Sequence, residues 1–245
     1  MERRIKMART KKNKSQEIKS DKLVALHHKK SPATEAFRTI RTNLQFMSPD
    51  KELKVIMVTG AEAGIGKSTV ASNLALTFSM TGKKAFLIDT DMRKPVLHKL
   101  FDLPNFQGLS SYLSGEHDDL EDLITECEHS GTFLLPAGPI PPNPSEMLNS
   151  NKMEGLIDEC RQRAGITIID SPPLLPVTDA VLLANKVDGV ILVAETDNTK
   201  KEVFIKGQER LERVNANILG TILNKYPVNK SSYYTYENYY YYGEE

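Results

Sequence analysis

The chain has 245 residues, 40% of them apolar, with 32 basic and 32 acidic side chains; that length holds one large α/β domain or two small ones, and a net charge of zero gives no general reason to expect nucleic acid as partner. Cys127 and Cys160 lie far apart without a CxxC or Cys/His companion, so neither a disulfide framework nor a zinc site is suggested and they are read as reduced, structural thiols in a cytoplasm. No apolar run reaches signal-peptide or membrane-spanning length, so a soluble protein is expected.

Met1 to Lys30 holds eleven Lys/Arg against three acids and is read as a basic, flexible arm. A solvated arm is the simpler account, although eleven cations could also meet phosphates. In "EAFRTIR", Glu35, Arg38 and Arg41 recur at i, i+3 and i+6; alone, this spacing describes a solvated face of an amphipathic helix. The strand "LKVIMVTG" then runs into "AEAGIGKST". Ala61-x4-Gly66-Lys67-Ser68 follows a strand and opens a helix over 67–81, the context a phosphate-binding loop requires. Gly64 and Gly66 let backbone N–H groups converge on phosphate oxygens, and the helix adds its positive end. Lys67 would bridge the terminal phosphates and Ser68 would ligate magnesium. The pattern departs at its first position, where Ala61 stands in place of Gly, one residue after Gly60.

"KAFLIDTD" is the next strand, ending in Asp89 and Asp91 with Arg93 close behind. "GPIPPNPSEML" is a stiff loop feeding a helix, with Asn143 as N-cap, Pro144 at N1 and Glu146 as capping-box partner. "ITIIDSPP" ends in Asp170, and "DGVILVAE", a helix over 199–214 and "ANILGTILNK" follow. Strands apolar on both faces, separated by helix-length segments, predict a doubly wound, mostly parallel sheet with helices on both faces. Ligands are expected at the carboxyl ends of its strands. Magnesium keeps several waters and takes one or two carboxylates beside phosphates, so Asp89, Asp91 and Asp170 stand where such a site needs acids, with Asp170 as the Walker B carboxylate. The folded body is placed at 31–226. Residues 227–245 form a tail holding Tyr233, Tyr234, Tyr236, Tyr239, Tyr240, Tyr241 and Tyr242.

Taken together, "AEAGIGKST", "FLIDTDMRKP" (Walker A′), "TIIDSPP", "GPIPPNPSE" and the terminal tyrosines resemble the bacterial tyrosine kinases, or BY-kinases, of capsule and exopolysaccharide synthesis. The likeness is to the split form of Gram-positive bacteria, a cytoplasmic kinase separate from its membrane activator. The resemblance implies a P-loop NTPase fold, ATP and Mg2+ as cofactors, and nucleotide binding by Gly64, Ile65, Gly66, Lys67, Ser68 and Thr69. It implies Ser68, Asp91 and Asp170 around the metal, and Lys67, Asp89 and Asp91 as catalytic residues. Asp89 is taken as the base, with the choice between Asp89 and Asp91 left open. Glu35, Arg38 and Arg41 match the family's E-x2-R-x2-R motif, which implies a ring-shaped homo-oligomer, eight-membered in the family. Asn224 and Lys225 fall where related P-loop ATPases hold adenine. Implied partners are the cytoplasmic tail of a membrane activator of the polysaccharide co-polymerase type, which recruits the kinase to the inner face of the membrane, protein tyrosine substrates and a cognate tyrosine phosphatase; no nucleic acid is expected.

The tail then reads as substrate. Fifteen residues from Lys225 to Tyr240 reach roughly 50 Å when extended, more than the roughly 40 Å breadth of such a domain, so autophosphorylation in trans is expected. Two alternatives remain open at this point: a ParA- or MinD-like ATPase, and a nucleotide-dependent scaffold that transfers no phosphate. The first normally carries a second lysine early in the loop, where this chain has Ala61, Glu62 and Ala63.

Overall fold

Runs of β-branched and aliphatic residues become one sheet in the computed structural model, which describes residues 22–47 and 52–227. In chain order the elements are α1 (Val24–His27), α2 (Pro32–Phe46), β1 (Val55–Gly60), α3 (Lys67–Ser79), β2 (Ala85–Asp89), α4 (Leu97–Leu100), α5 (Leu109–Ser114), β3 (Thr125–Glu126), β4 (Thr132–Leu135), α6 (Pro144–Leu148), α7 (Asn151–Arg163), β5 (Ile166–Asp170), α8 (Asp179–Ala184), β6 (Gly189–Glu195), α9 (Lys201–Glu212) and β7 (Ile218–Asn224). The seven strands lie in the order β3-β4-β2-β5-β1-β6-β7. All neighbours are parallel except β3 and β4.

Alternation along the central strands sends neighbouring residues to opposite faces. Val55 and Met57 of β1 join Ile169, Val190 and Leu192 in the core under α7, α8 and α9. Ile56 and Val58 join Ile168, Ile191 and Val193 in the core under α3. The helix α3 is buried almost all round, as a helix enclosed between a sheet and a further layer must be. Asp188, just before β6, ties this framework at its lower end: Oδ2 accepts from the N–H of Lys54 at 2.8 Å and of Val55 at 2.9 Å, and Oδ1 accepts from Arg161 Nε at 3.2 Å.

The expected doubly wound sheet is present, with three differences in detail. First, Lys22–Lys30, assigned above to the arm, belongs to the packed structure: Leu23 and Ala25 are buried against α3. The cause is Asn73 on α3, whose Oδ1 accepts from Ala25 N at 2.9 Å and whose Nδ2 donates to Lys22 O at 2.6 Å. Thr34 Oγ1 closes the turn by bonding Val24 O and His28 O. Residues 1–21 lie outside the described residues. Second, the short hairpin β3–β4 was not expected; it ends the sheet beside β2. Third, the predicted capping box at Asn143 is not formed, because its Nδ2 donates to Glu146 Oε2 at 2.5 Å. The cysteines are both buried and free, and burial pushes each thiol up to about 12, out of reach of thiolate chemistry.

Candidate nucleotide and phosphoryl-transfer site

The carboxyl ends of β1, β2 and β5 meet because the register places Asp89 opposite Asp170 and Asp170 opposite Val58. From this rim the chain turns sharply. Gly60 must be glycine, since a Cβ there would stand 2.6 Å from Val193 O on β6. Ala61 is buried at the place where the pattern calls for Gly, and the room for its methyl comes from Gly207 on α9, where an added Cβ would lie 3.0 Å from that of Ala61. Gly64 and Gly66 adopt φ of +81° and +94°, left-handed backbone that favours glycine. Gly66 is the N-cap of α3, so the loop's N–H groups and the helix's positive end face one place.

Gly64, Gly66, Lys67, Ser68 and Thr69 line a cleft of about 480 Å³, and Asp91, Arg93, Lys94, Pro172, Pro176 and Lys225 are also on its walls. The Ile65 side chain instead points into the core. Lys67 is 7% exposed, and its Nζ donates to Glu62 O at 3.1 Å. Burial lowers its pKa, opposed by the charges of Asp170 and Asp91. Asp170 is buried, and burial pushes its carboxyl up to about 7 against the pull of Ser68 and Lys67. Ser68 is near enough to exert that pull, yet neither carboxylate oxygen has a hydrogen-bond partner of good geometry. Two orphaned buried oxygens beside a serine at a helix N-terminus fit a divalent cation. Among the described residues no group of three or more His, Cys, Asp or Glu forms a closed cage, and a magnesium sharing phosphate oxygens and waters does not call for one.

The two acids of "DTD" have different surroundings. Asp89 is fully buried: Oδ1 accepts from Asp91 N at 3.1 Å, and Oδ2 from Val96 N at 3.2 Å and Leu97 N at 3.1 Å. Burial, then repulsion by Asp170, raises its carboxyl well above the usual range. Asp91 is half-buried and faces the cleft, with Oδ1 accepting from Lys94 N at 2.9 Å. Arg93 beyond it is held by fully buried Asp179, through Nε at 2.8 Å and Nη2 at 3.1 Å, with Ser145 Oγ 3.0 Å from Nη2. No feature of the sequence announced that clamp, because its partners lie 52 and 86 positions away.

Asn224 and Lys225 close β7 as expected, and both bond to the phosphate loop: Asn224 Nδ2 to Ile65 O at 2.9 Å and Lys225 Nζ to Gly64 O at 3.1 Å. Lys225 also pairs with Glu195 at 2.8 Å. On α2, Arg38 pairs with Glu35, while Arg41 turns onto α3 and donates to Thr77 O at 2.6 Å. Burial lowers the Arg41 pKa, aided by Arg38 and opposed by Glu35. The three motif residues therefore do not share one solvent-facing row. The tail tyrosines, Tyr233 to Tyr242, lie outside the described residues. No helix among the described residues is long and apolar enough to cross a membrane.

A family model described as the CobQ/CobB/MinD/ParA nucleotide binding domain matches residues 56–242. The chain is 41% identical over 214 residues to the tyrosine-protein kinase YwqD of Bacillus subtilis, covering 87% of this chain and 90% of that one. It is 38% identical to the putative tyrosine-protein kinase CapB of Staphylococcus aureus, covering 88% and 92%. Among solved structures, the chimerical protein CapA2B2 matches with a TM-score of 0.81 at 39% identity, covering 85% of this chain and 91% of that one.

Proposed function

Because the chain belongs to the bacterial tyrosine-protein kinases, built on the CobQ/CobB/MinD/ParA nucleotide-binding domain, we propose that it transfers the γ-phosphoryl group of ATP to the tail tyrosines of a second copy of itself, and so regulates capsular or exopolysaccharide polymerisation and export. The observation that carries this reading is the cleft in which Lys67, Ser68 and Asp91 stand together above the unpartnered carboxylate of Asp170. The absence of a second loop lysine at 61–63 and the kinase relatives both weigh against a partitioning ATPase.

Phosphoryl transfer asks a protein mainly to position groups and balance charge. The N–H groups from Gly64 to Thr69 bind the phosphates, and Lys67, little hydrated, answers the charge on the terminal ones. Magnesium, when bound, neutralises the β- and γ-phosphates, with Ser68 and Asp170 as the residues that would hold it. The tyrosine oxygen attacks the γ-phosphorus, the bond to the β–γ bridging oxygen breaks, and its electron pair leaves with ADP. A phenol with a pKa of about 10 needs an acceptor for its proton. Asp91, on the cleft wall, is the better placed of the two candidates. The three backbone bonds to Asp89 suit it to bracing the 91–97 turn instead.

In the family's manner, a ring joined through Glu35, Arg38 and Arg41 would bring a neighbour's tail within reach, and a membrane activator and a phosphatase would regulate it. The test mixes a Lys67→Met chain, tail intact, with an active chain lacking residues 233–242. Phosphotyrosine on the Lys67→Met chain is expected. Labelling absent from that chain, while wild type labels itself, would place transfer within one chain; no phosphotyrosine in wild type even with the activator's cytoplasmic tail added would end the kinase reading.

A further inference from the structure

The proline-rich stretch after Ala137 takes no part in the nucleotide cleft. It forms one side of a second groove of about 460 Å³, whose other side is the segment running from Arg93 into α4. Arg93, Lys94 and Val96 line both spaces, so the groove leads directly out of the nucleotide cleft. Its cations are Lys94, Lys99 and Arg93, the last already paired with buried Asp179, and none of the described residues lining it is acidic. Each wall is stiff. Asn105 joins the far wall by a reciprocal pair, donating to Gly138 O at 2.8 Å and accepting from Gly138 N at 2.9 Å. Gly138 holds φ at +78°, and a Cβ on Gly108 would meet Pro136 O at 2.2 Å. On the near wall Arg93 is clamped by Asp179 and Ser145. One large apolar side chain of the lining stands in solvent, Ile140 at 65% exposure. A single exposed apolar residue is ordinary on a soluble surface; this one stands on a braced loop inside a groove lined by cations.

We infer that this groove seats the polypeptide flanking the acceptor tyrosine and makes the enzyme select acidic tyrosine peptides, the tail of a second copy being its occupant. The inference rests on the kinase reading above and names its substrate class. An acceptor tyrosine beside Asp91 must have its flanking residues leave the cleft, and the basic groove is continuous with that exit. The tail matches it in charge: beyond Lys230 its charged residues are Glu237, Glu244 and Glu245, with Glu237 directly after Tyr236. The tyrosines supply a ring for Ile140, since aromatic side chains carry large apolar faces with a polar tip. Charge complementarity of this kind sets partner choice and register more than raw affinity.

The experiment uses the full chain with magnesium and ATP and two added peptides, read by mass so that tail labelling is separate. One peptide copies residues 235–245; the other carries Glu237→Gln, Glu244→Gln and Glu245→Gln. Wild type is expected to use the acidic peptide with a KM about tenfold lower, and the Lys99→Glu/Ile140→Ser variant to lose most of that preference through KM rather than kcat. A third peptide with lysines at the three glutamate positions should be used better by the variant than by wild type, a rescue that damaged folding could not produce. Equal use of acidic and neutral peptides by an active wild type, or a preference that survives in the variant, overturns the groove while leaving the kinase reading intact. A labelled tail with no peptide labelled overturns the groove alone; no phosphotyrosine anywhere, with the activator's cytoplasmic tail added, overturns both.

Discussion

Replacing Gly66 with alanine, and Gly64 with alanine beside it, separates two contributions to the phosphate loop. Both positions are left-handed, at φ +94° and +81°, but a Cβ on Gly66 would stand 2.1 Å from Asn224 Nδ2, whereas one on Gly64 meets nothing within 4 Å. Left-handed backbone costs an L-residue roughly 1–2 kcal/mol, a factor of about 5–30. The free loop relaxes locally to shed that strain and must recover it to bind phosphate, so the factor falls on affinity. At Gly66 the asparagine must also swing aside and lose its bond to Ile65 O, about 0.5–1.5 kcal/mol. Gly64→Ala should therefore weaken MgATP binding by about 5–30-fold, and Gly66→Ala by a further factor of about 2–13. Calorimetric titration reads both. In an Asn224→Ala background the clash is gone, so Gly66→Ala should then cost only what Gly64→Ala costs. If the Gly66→Ala penalty is the same in both backgrounds, Asn224 does not brace the loop and the reasoning fails.

Asn73→Ala would strand the buried N–H of Ala25, at about 1–3 kcal/mol, and lose the bond to the exposed Lys22 carbonyl; a lower urea midpoint with faster hydrogen exchange at 23–27 is expected, and no change in either would mean the segment is not docked. For Asp188, burial raises the pKa, but the N–H groups of Val55 and Lys54 and the Arg161 charge outweigh it and leave the carboxyl lowered. Its stabilisation is thus complete above the unfolded carboxyl value of about 3.9 and is lost as pH falls through the lowered folded pKa. Thermal melts should show Asp188→Asn less stable than wild type at pH 7, with the gap narrowing below about pH 4; a constant gap would count against the assignment.

What could be read from the sequence was local. Strands such as Val55–Gly60 and Gly189–Glu195 announce themselves as unbroken apolar runs, and the loop from Ala61 to Ser68 carries its chemistry in consecutive residues. The hairpin of Thr125–Glu126 with Thr132–Leu135 did not, because two- and four-residue strands leave no period to detect. Nor could spacing reveal that Asn73 holds a segment 48 residues earlier, or that Asn105 braces Gly138 from 33 residues away. The distinction between Asp89 and Asp91 was likewise invisible, since two carboxylates two residues apart differ here through backbone donors that only the folded turn brings to one of them.

The fit of Ala61 against Gly207 leaves the two positions sharing the space of a single methyl. A glycine inside a helix gives up about 0.5–1 kcal/mol relative to alanine, so α9 carries a standing penalty on behalf of a residue more than a hundred positions upstream. Sequence drift at the pair is consequently directional. A lineage can exchange the two by taking Ala61→Gly first and Gly207→Ala second, passing through glycine at both. The opposite order passes through two methyls 3.0 Å apart beneath the phosphate loop. The alanine that departs from the usual loop pattern is thus half of a couple, and a methyl on the helix glycine requires that alanine to give way.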